Sequence, residues 1–321
     1  MATDDLKWVH GFNYQPSWGR NGITVWNCFD AERYRREIDL GLKYFPRMNA
    51  LRIWFSFDAF IDDRDVFLRA ASEAAAIIRD RGLKVIPLLF NGWHAIPDFG
   101  GFTYESLWMG KSRGNWKYEM EYMDRVLSCF QTSDVIAVDL ANEPYASLRT
   151  EEAAAVFDEF FAAVADHARE KFPDLPLTCG TWGMLYDRTR DVITDLETIA
   201  PKLDVISVHP YSFCFGGPNR ETYAGLLDHV QGVLTRFGKP VLATECNGFA
   251  KTDSERAAAA RMELEEFRRL GWGFLPHALH ESGVADLNRH AYYAPGSEGA
   301  MHFIEKDGSL RPFHEFFNDF C

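Results

Sequence analysis

Little in this sequence would staple, anchor or disorder a chain. The six cysteines (Cys28, Cys129, Cys179, Cys214, Cys246 and Cys321) are scattered over 321 residues and never form a Cys-x-x-Cys pair. At that spacing reduced thiols are expected, not a disulfide framework or a zinc site. No apolar run approaches the length of a membrane span. The start, "MATDDLKWVHGFNY", has neither a basic leader nor an apolar segment behind it. No signal peptide is therefore expected, and a cytoplasmic location is the default, although a trimmed secreted form would read the same. The absence of like-charge blocks and low-complexity tracts argues against disorder. Positive charge is also short: 34 Lys and Arg face 47 Asp and Glu, a formal net charge of -13. That balance disfavours nucleic acid or an anionic membrane as partner and fits a neutral or cationic substrate.

Aromatic residues are plentiful. Nine Trp, twelve Tyr and 26 Phe exceed what a core of this size requires, and several Trp fall where loops are expected. Trp18, Trp93, Trp108, Trp116 and Trp182 can be read either as platforms for a sugar ring or as loop cores.

Short apolar runs alternate with amphipathic segments along the whole chain. Strands are expected at 8–14, 50–57, 84–90, 135–141, 177–182, 205–211, 240–245 and 273–279. Segments such as "DVFLRAASEAAAIIRDRG" and "TEEAAAVFDEFFAAVADHARE" repeat apolar residues at three- and four-residue spacing, and several open with Asp, Asn or Thr. Eight strands alternating with helices over roughly 300 residues predict an α/β protein, a single-domain (β/α)8 TIM barrel spanning 1–321. The rival, a doubly wound open sheet, usually carries a Gly-rich phosphate turn after an early strand. Here that turn reads "NYQPSWGRNG".

In a barrel the carboxyl ends of the strands form the active face. Most of the expected strands end in polar groups: Asn13, Arg52, Asn91, Asn142-Glu143, His209 with Tyr211, Glu245, and His277, His280 and Glu281. Long loops follow strands three and eight, at 91–115 and 281–300. Glu143 and Glu245 lie on strands four and seven, nearly opposite around the ring. Two carboxylates flanking one bond are the equipment of glycoside hydrolysis, one protonated to donate to the leaving oxygen and one ionised to attack the anomeric carbon.

With these residues in this order the sequence resembles the clan of retaining β-glycosidases with an acid/base on strand four and a nucleophile on strand seven. It is most similar to the cellulase-like glycoside hydrolase family 5. The resemblance rests on Arg52 in "LRIWFSF", Asn142-Glu143-Pro144, His209 and Tyr211 in "SVHPYSF", Glu245 in "ATE", and the tail "HFIEKDGSLRPFHEFF", where an Asp-Gly turn is expected to lead into a Pro-started helix. It implies that Glu143 is the acid/base and Glu245 the nucleophile. It further implies that Asn142 contacts the sugar 2-hydroxyl, Tyr211 and Arg52 hold Glu245 ionised, and His209 orients sugar or acid. Two positions depart from the pattern. The family's Trp at the end of strand eight is missing, Trp272 lying at the strand's beginning, so His277 or His280 is expected in its place. Asn91 or His94 stands for a family His after strand three.

The reading is thus a hydrolase acting on β-linked oligosaccharide, a β-mannoside or β-glucoside first and exo-acting, with neither metal nor cofactor. Plainer alternatives exist for each residue. Glu143 could be a solvated turn residue before Pro144, and Glu245 could serve only as a structural ion-pair partner of Arg52. "HALHES" invites a zinc site, but on a strand His277 and His280 point to opposite faces. At the level of the whole protein the alternatives are a metal-dependent sugar isomerase or a barrel that binds oligosaccharide without turning it over.

Overall fold

A computed structural model describes residues 5–92, 103–146, 148, 150–182, 192–215, 219–247, 250, 252–283 and 301–321. Eight strands appear where expected: β1 (Gly11–Tyr14), β2 (Ala50–Trp54), β3 (Lys84–Asn91), β4 (Val138–Asn142), β5 (Leu177–Trp182), β6 (Ile206–His209), β7 (Val241–Ala243) and β8 (Gly273–Phe274). They pair in parallel and in chain order in one sheet. His10 bridges Phe274. The amide of Asn13 donates to Pro276 O, and that of Leu279 to Asn13 O. These bonds join the last strand to the first and close a (β/α)8 barrel. Several strands are shorter than their apolar runs. Pro210 and Pro276 have no N–H to offer a ladder, which explains why β6 stops at His209 and β8 at Phe274.

Ten α-helices are described: α1 (Gly22–Asn27), α2 (Ala31–Tyr44), α3 (Phe57–Asp62), α4 (Arg64–Asp80), α5 (Tyr104–Ser112), α6 (Lys117–Leu127), α7 (Glu151–Lys171), α8 (Val192–Ile199), α9 (Arg220–Leu234) and α10 (Asp253–Leu270). Helix α7 shows why they form. Thr150 caps its first turn, Glu151 and Glu152 sit at the positive end of the dipole, and Arg169 and Lys171 at the negative end. Its buried face, Phe157, Phe160, Phe161, Val164, Ala165 and Ala168, is the three-and-four stripe visible in the sequence.

Two local expectations change. Part of the loop expected at 91–115 is helix α5, opened by a reciprocal cap in which Thr103 and Ser106 satisfy each other's backbone. The tail keeps its Asp307-Gly308 turn, but the final helix is a 3-10 turn over His314–Asp319 and does not start at Pro312. Phe313 intervenes in a left-handed conformation (φ 68°), and His314 bonds the carbonyl of Pro312.

The interior is layered. Val9, Ala50, Ile86, Ala137, Val205, Leu242 and Leu275 belong to one apolar cluster, drawn from seven of the eight strands or the residues beside them. Side chains along a strand alternate, so the residue two positions on faces the same way. Two residues beyond Ala50, Ala137, Val205, Leu242 and Leu275 stand Arg52, Asp139, Ser207, Thr244 and His277, all buried. An apolar floor thus gives way, within one layer, to a polar storey beneath the barrel mouth.

Candidate active site

Arg52 is the hub of that storey and has no solvent exposure. Its Nε donates to Asp139 Oδ2 (2.9 Å), and Nη1 donates to Asn13 Oδ1 (2.8 Å) and Glu245 Oε1 (2.5 Å). Nη2 donates to Asn142 Oδ1 (2.8 Å). One planar fork therefore reaches β1, β4 and the end of β7. That both Asp139 and Asn142 meet it needs explanation, because residues three apart on a regular strand face opposite sides. The register of β4 against β5 shifts between these two residues, and the irregularity turns Asn142 inward. Asn142 Nδ2 then reaches Asn91 Oδ1 at 3.2 Å, tying the end of β3 to the same layer. Opposite, Gly180 on β5 leaves the room required: a Cβ there would lie 2.9 Å from His209 Nε2 and 3.0 Å from Arg52 Nη2.

Glu143 follows directly, with φ at 46° and only 2% exposure. It is no solvated turn residue. Its Oε1 lies 2.5 Å from His209 Nδ1, and His209 Nε2 lies 3.1 Å from Thr244 Oγ1, which also contacts Ser207 Oγ. Burial, with help from Arg52 and His277, pushes His209 down to about 3, so the ring is neutral around pH 7. Glu245 also accepts from the Tyr211 hydroxyl (2.7 Å to Oε2). Burial would raise its carboxyl. The charges of its neighbours and the Tyr211 bond outweigh that and hold it at about 2. With His209 neutral, Arg52 is the cation we assign to this effect. One oxygen each of Glu143 and Glu245 and one nitrogen of His209 all lie within 4.8 Å of one another.

Other expected residues are placed as follows. His277 is buried beside the Trp54 ring, centroids 6.0 Å apart, and acts electrostatically on Glu245. His280 turns away: its Nε2 lies 2.9 Å from the Glu37 carbonyl of α2, so it is not part of the cluster. Trp18 is half-buried at the turn after β1, under Arg33, with its N–H on Val25 O. Trp116 is core, edge-on to Phe160 and donating to Leu107 O, whereas Trp108 is exposed. Trp272 stacks on Phe267 and bonds Gln231 at the opposite end of the barrel. Trp93 and His94 lie outside the described residues, as does the side chain of Trp182. Most of the loop 281–300 lies outside them too. The cysteines whose side chains are described, Cys28, Cys129, Cys179, Cys246 and Cys321, are free.

Solved structures of similar shape exist. The exo-beta-1,4-mannosidase Op5Man5 from Opitutaceae bacterium strain TAV5 superposes with a TM-score of 0.72 at 18% identity, over 97% of this chain and 58% of that one. A GH5_18 protein from Streptomyces cattleya, in complex with GlcNAc, gives 0.67 at 16% identity over 97% and 79%. The endo-beta-1,4-mannanase from Thermotoga petrophila gives 0.62 at 18% over 97% and 76%. The likeness is one of fold. This chain thus spans little more than half the length of the mannosidase. No family model matches the sequence, and no curated protein does.

Reasoning from sequence missed Asp139, Thr244 and Trp54. Asp139 left a signal, an acid midway along an otherwise apolar run, "VIAVDLAN". Such a residue is almost never buried unless paired, and its partner here is Arg52.

Proposed function

We propose that this protein is a retaining β-glycosidase acting on β-linked oligosaccharides, with Glu143 as acid/base and Glu245 as nucleophile. The observation that carries the proposal is the contrast between two close, buried carboxyls. Glu245 is fixed in its ionised form by Arg52 and Tyr211. Glu143 faces a neutral imidazole able to give or take a hydrogen bond. Oxygens of the two approach within 4.8 Å, so both can flank one glycosidic bond. A retaining pair stands about 5–5.5 Å apart, carboxyl to carboxyl.

In the first step the Glu143 O–H protonates the leaving oxygen while a Glu245 oxygen bonds to the anomeric carbon and the glycosidic bond breaks. In the second, Glu143 takes a proton from water, the water oxygen bonds to that carbon, and the Glu245 ester bond breaks. His209 accommodates both states without carrying charge. When Glu143 is protonated, the proton sits on Oε2, from which it passes to the leaving oxygen, and Nδ1–H donates to Oε1. When Glu143 is ionised, Nδ1–H donates to it and Nε2 accepts from the Thr244 hydroxyl. Asn142 would hold the 2-hydroxyl, with Asn91 behind it, and His277 would stand beside the bound sugar.

A β-mannoside or β-glucoside is the first substrate to try, with exo-action on short chains. The mannosidase and mannanase of similar shape support that order. A cytoplasmic location belongs to the same proposal and is checked by fractionating the source cells. The test of function is hydrolysis of aryl β-glycosides (gluco, manno, galacto, xylo and N-acetylglucosaminide), with the first-formed anomer read by proton NMR. Release of the β-anomer supports the retaining route. Release of the α-anomer would refute it.

One observation favours a second reading. Glu143, His209 and Glu245 are close enough to share a metal ion, as a sugar isomerase would require. Against it, one oxygen of Glu245 is already taken by the Arg52 guanidinium at 2.5 Å, a cation where a second would have to sit. Activity that disappears with a chelator and returns with a divalent ion would favour the metal. If the panel stays silent while the protein still binds oligosaccharide, it is a non-catalytic binding barrel.

A further inference from the structure

Glu263 takes no part in the chemistry above, yet it is a carboxyl on α10 with no solvent exposure. One oxygen accepts the amide of Ser212 at 2.7 Å and the other the amide of Asn247 at 2.6 Å. Ser212 is the residue after Tyr211, and Asn247 lies two beyond Glu245. Asn247 is itself buried in a left-handed conformation (φ 74°), and its Nδ2 donates to His277 O (3.1 Å) and Met301 O (2.8 Å). One carboxyl therefore joins the turns that leave β6 and β7, and through Asn247 the segment after β8.

We propose that Glu263 is a positioning residue for the carboxylate pair, fixing both exit turns so that the Tyr211 hydroxyl meets Glu245. The choice of side chain fits this role. Two converging N–H groups need an acceptor on each arm, and only a carboxyl offers both; a Gln would face one donor with another. The placement is costly, because burial pushes Glu263 up to about 7 although the Ser212 side chain and both amides pull it down. An acid kept buried at such cost without touching the reacting groups needs a reason, and the two turns it joins supply one.

The kinetic arm of the test rests on the glycosidase reading, but the titration arm does not. Carboxyl carbon-13 titration, with Glu245 assigned by its loss in Glu245→Gln, is run on wild type, Glu263→Gln and Glu263→Asp. Positioning predicts that both variants fold and that the Glu245 midpoint rises by about one pH unit as the Tyr211 contact loosens. It also predicts a kcat lower by roughly tenfold with KM within about twofold. Asp keeps the charge but not the reach, so an Asp variant indistinguishable from wild type would mean that charge alone matters and would overturn the proposal. So would an unmoved Glu245 midpoint in folded Glu263→Gln. Should that variant not fold, Ser212→Pro removes one of the two amide donors and leaves Glu263 intact, and the same midpoint decides. If wild type hydrolyses nothing, the functional reading fails while the titration still judges Glu263.

Discussion

Replacing Arg52 by Met leaves its volume roughly filled and removes the only fixed positive charge in contact with Asp139 and Glu245 among the described residues. Breaking a buried ion pair by removing one partner costs about 3–5 kcal/mol, because the remaining charge stays buried and unpaired. The loss is large against a total folding stability of about 5–15 kcal/mol. The pH dependence gives a second check on its origin. A carboxyl whose folded value is depressed contributes stability that is present above 4.5 and lost as pH falls through 2. In wild type the Glu245 contribution should therefore persist from neutrality to about pH 5 and be lost below that. In Arg52→Met Glu245 no longer prefers ionisation, and Asp139, already pushed up by burial, rises further, so stability relative to wild type should rise as pH falls toward 5 and the deficit should shrink. Urea unfolding followed by tryptophan fluorescence, at neutral pH and near pH 3, measures both quantities. Asp139→Asn in the Arg52→Met background should restore part of the loss, since it removes one uncompensated charge. A deficit under about 1 kcal/mol at neutral pH, or one that does not change with pH, would refute the reasoning.

Other perturbations separate the roles within the site. Tyr211→Phe removes one hydrogen bond to a charged group, worth about 1.5–3 kcal/mol, so the acid limb of kcat/KM should move up by about one to two pH units. Glu143→Gln should cost about 10²–10⁴-fold on substrates whose leaving group needs a proton, and far less on a dinitrophenyl glycoside. Thr244→Val leaves His209 Nε2 with one partner fewer and should lower kcat about fivefold, the equivalent of about 1 kcal/mol, with the acid limb unmoved.

The eight strands and the order of the polar residues that close them were legible because a barrel writes itself in two periods, and both survive in the chain. Glu143, Glu245, Arg52, Asn142, His209 and Tyr211 do come together. What sequence could not supply was register. Asp139 and Asn142 share one partner only because β4 is irregular between them, and no residue in "VIAVDLAN" marks that shift. Helix α5 was hidden because its reciprocal cap uses Ser106 where Glu or Gln is the usual sign. Trp116 looked like a loop aromatic for the same reason, and proves to be core under α5. Glu263 sits among the acids of "MELEEF", where an ordinary solvent face is the natural expectation. Only the two backbone amides that meet it show otherwise. His277 and His280 lie beyond the end of β8, so strand alternation does not decide between them; His280 turns away to the carbonyl that Glu37 offers.

The central claim is that Glu245 attacks the sugar, and trapping the resulting ester tests it most directly. The protein is incubated with 2-deoxy-2-fluoro glycosides of the sugars it hydrolyses, digested, and its labelled peptide sequenced by mass spectrometry. The account predicts a single covalent adduct on Glu245, time-dependent loss of activity, and no adduct in Glu245→Ala, whose turnover azide should rescue as the α-glycosyl azide. A label on another residue, or hydrolysis by Glu245→Ala at the wild-type rate, would contradict it.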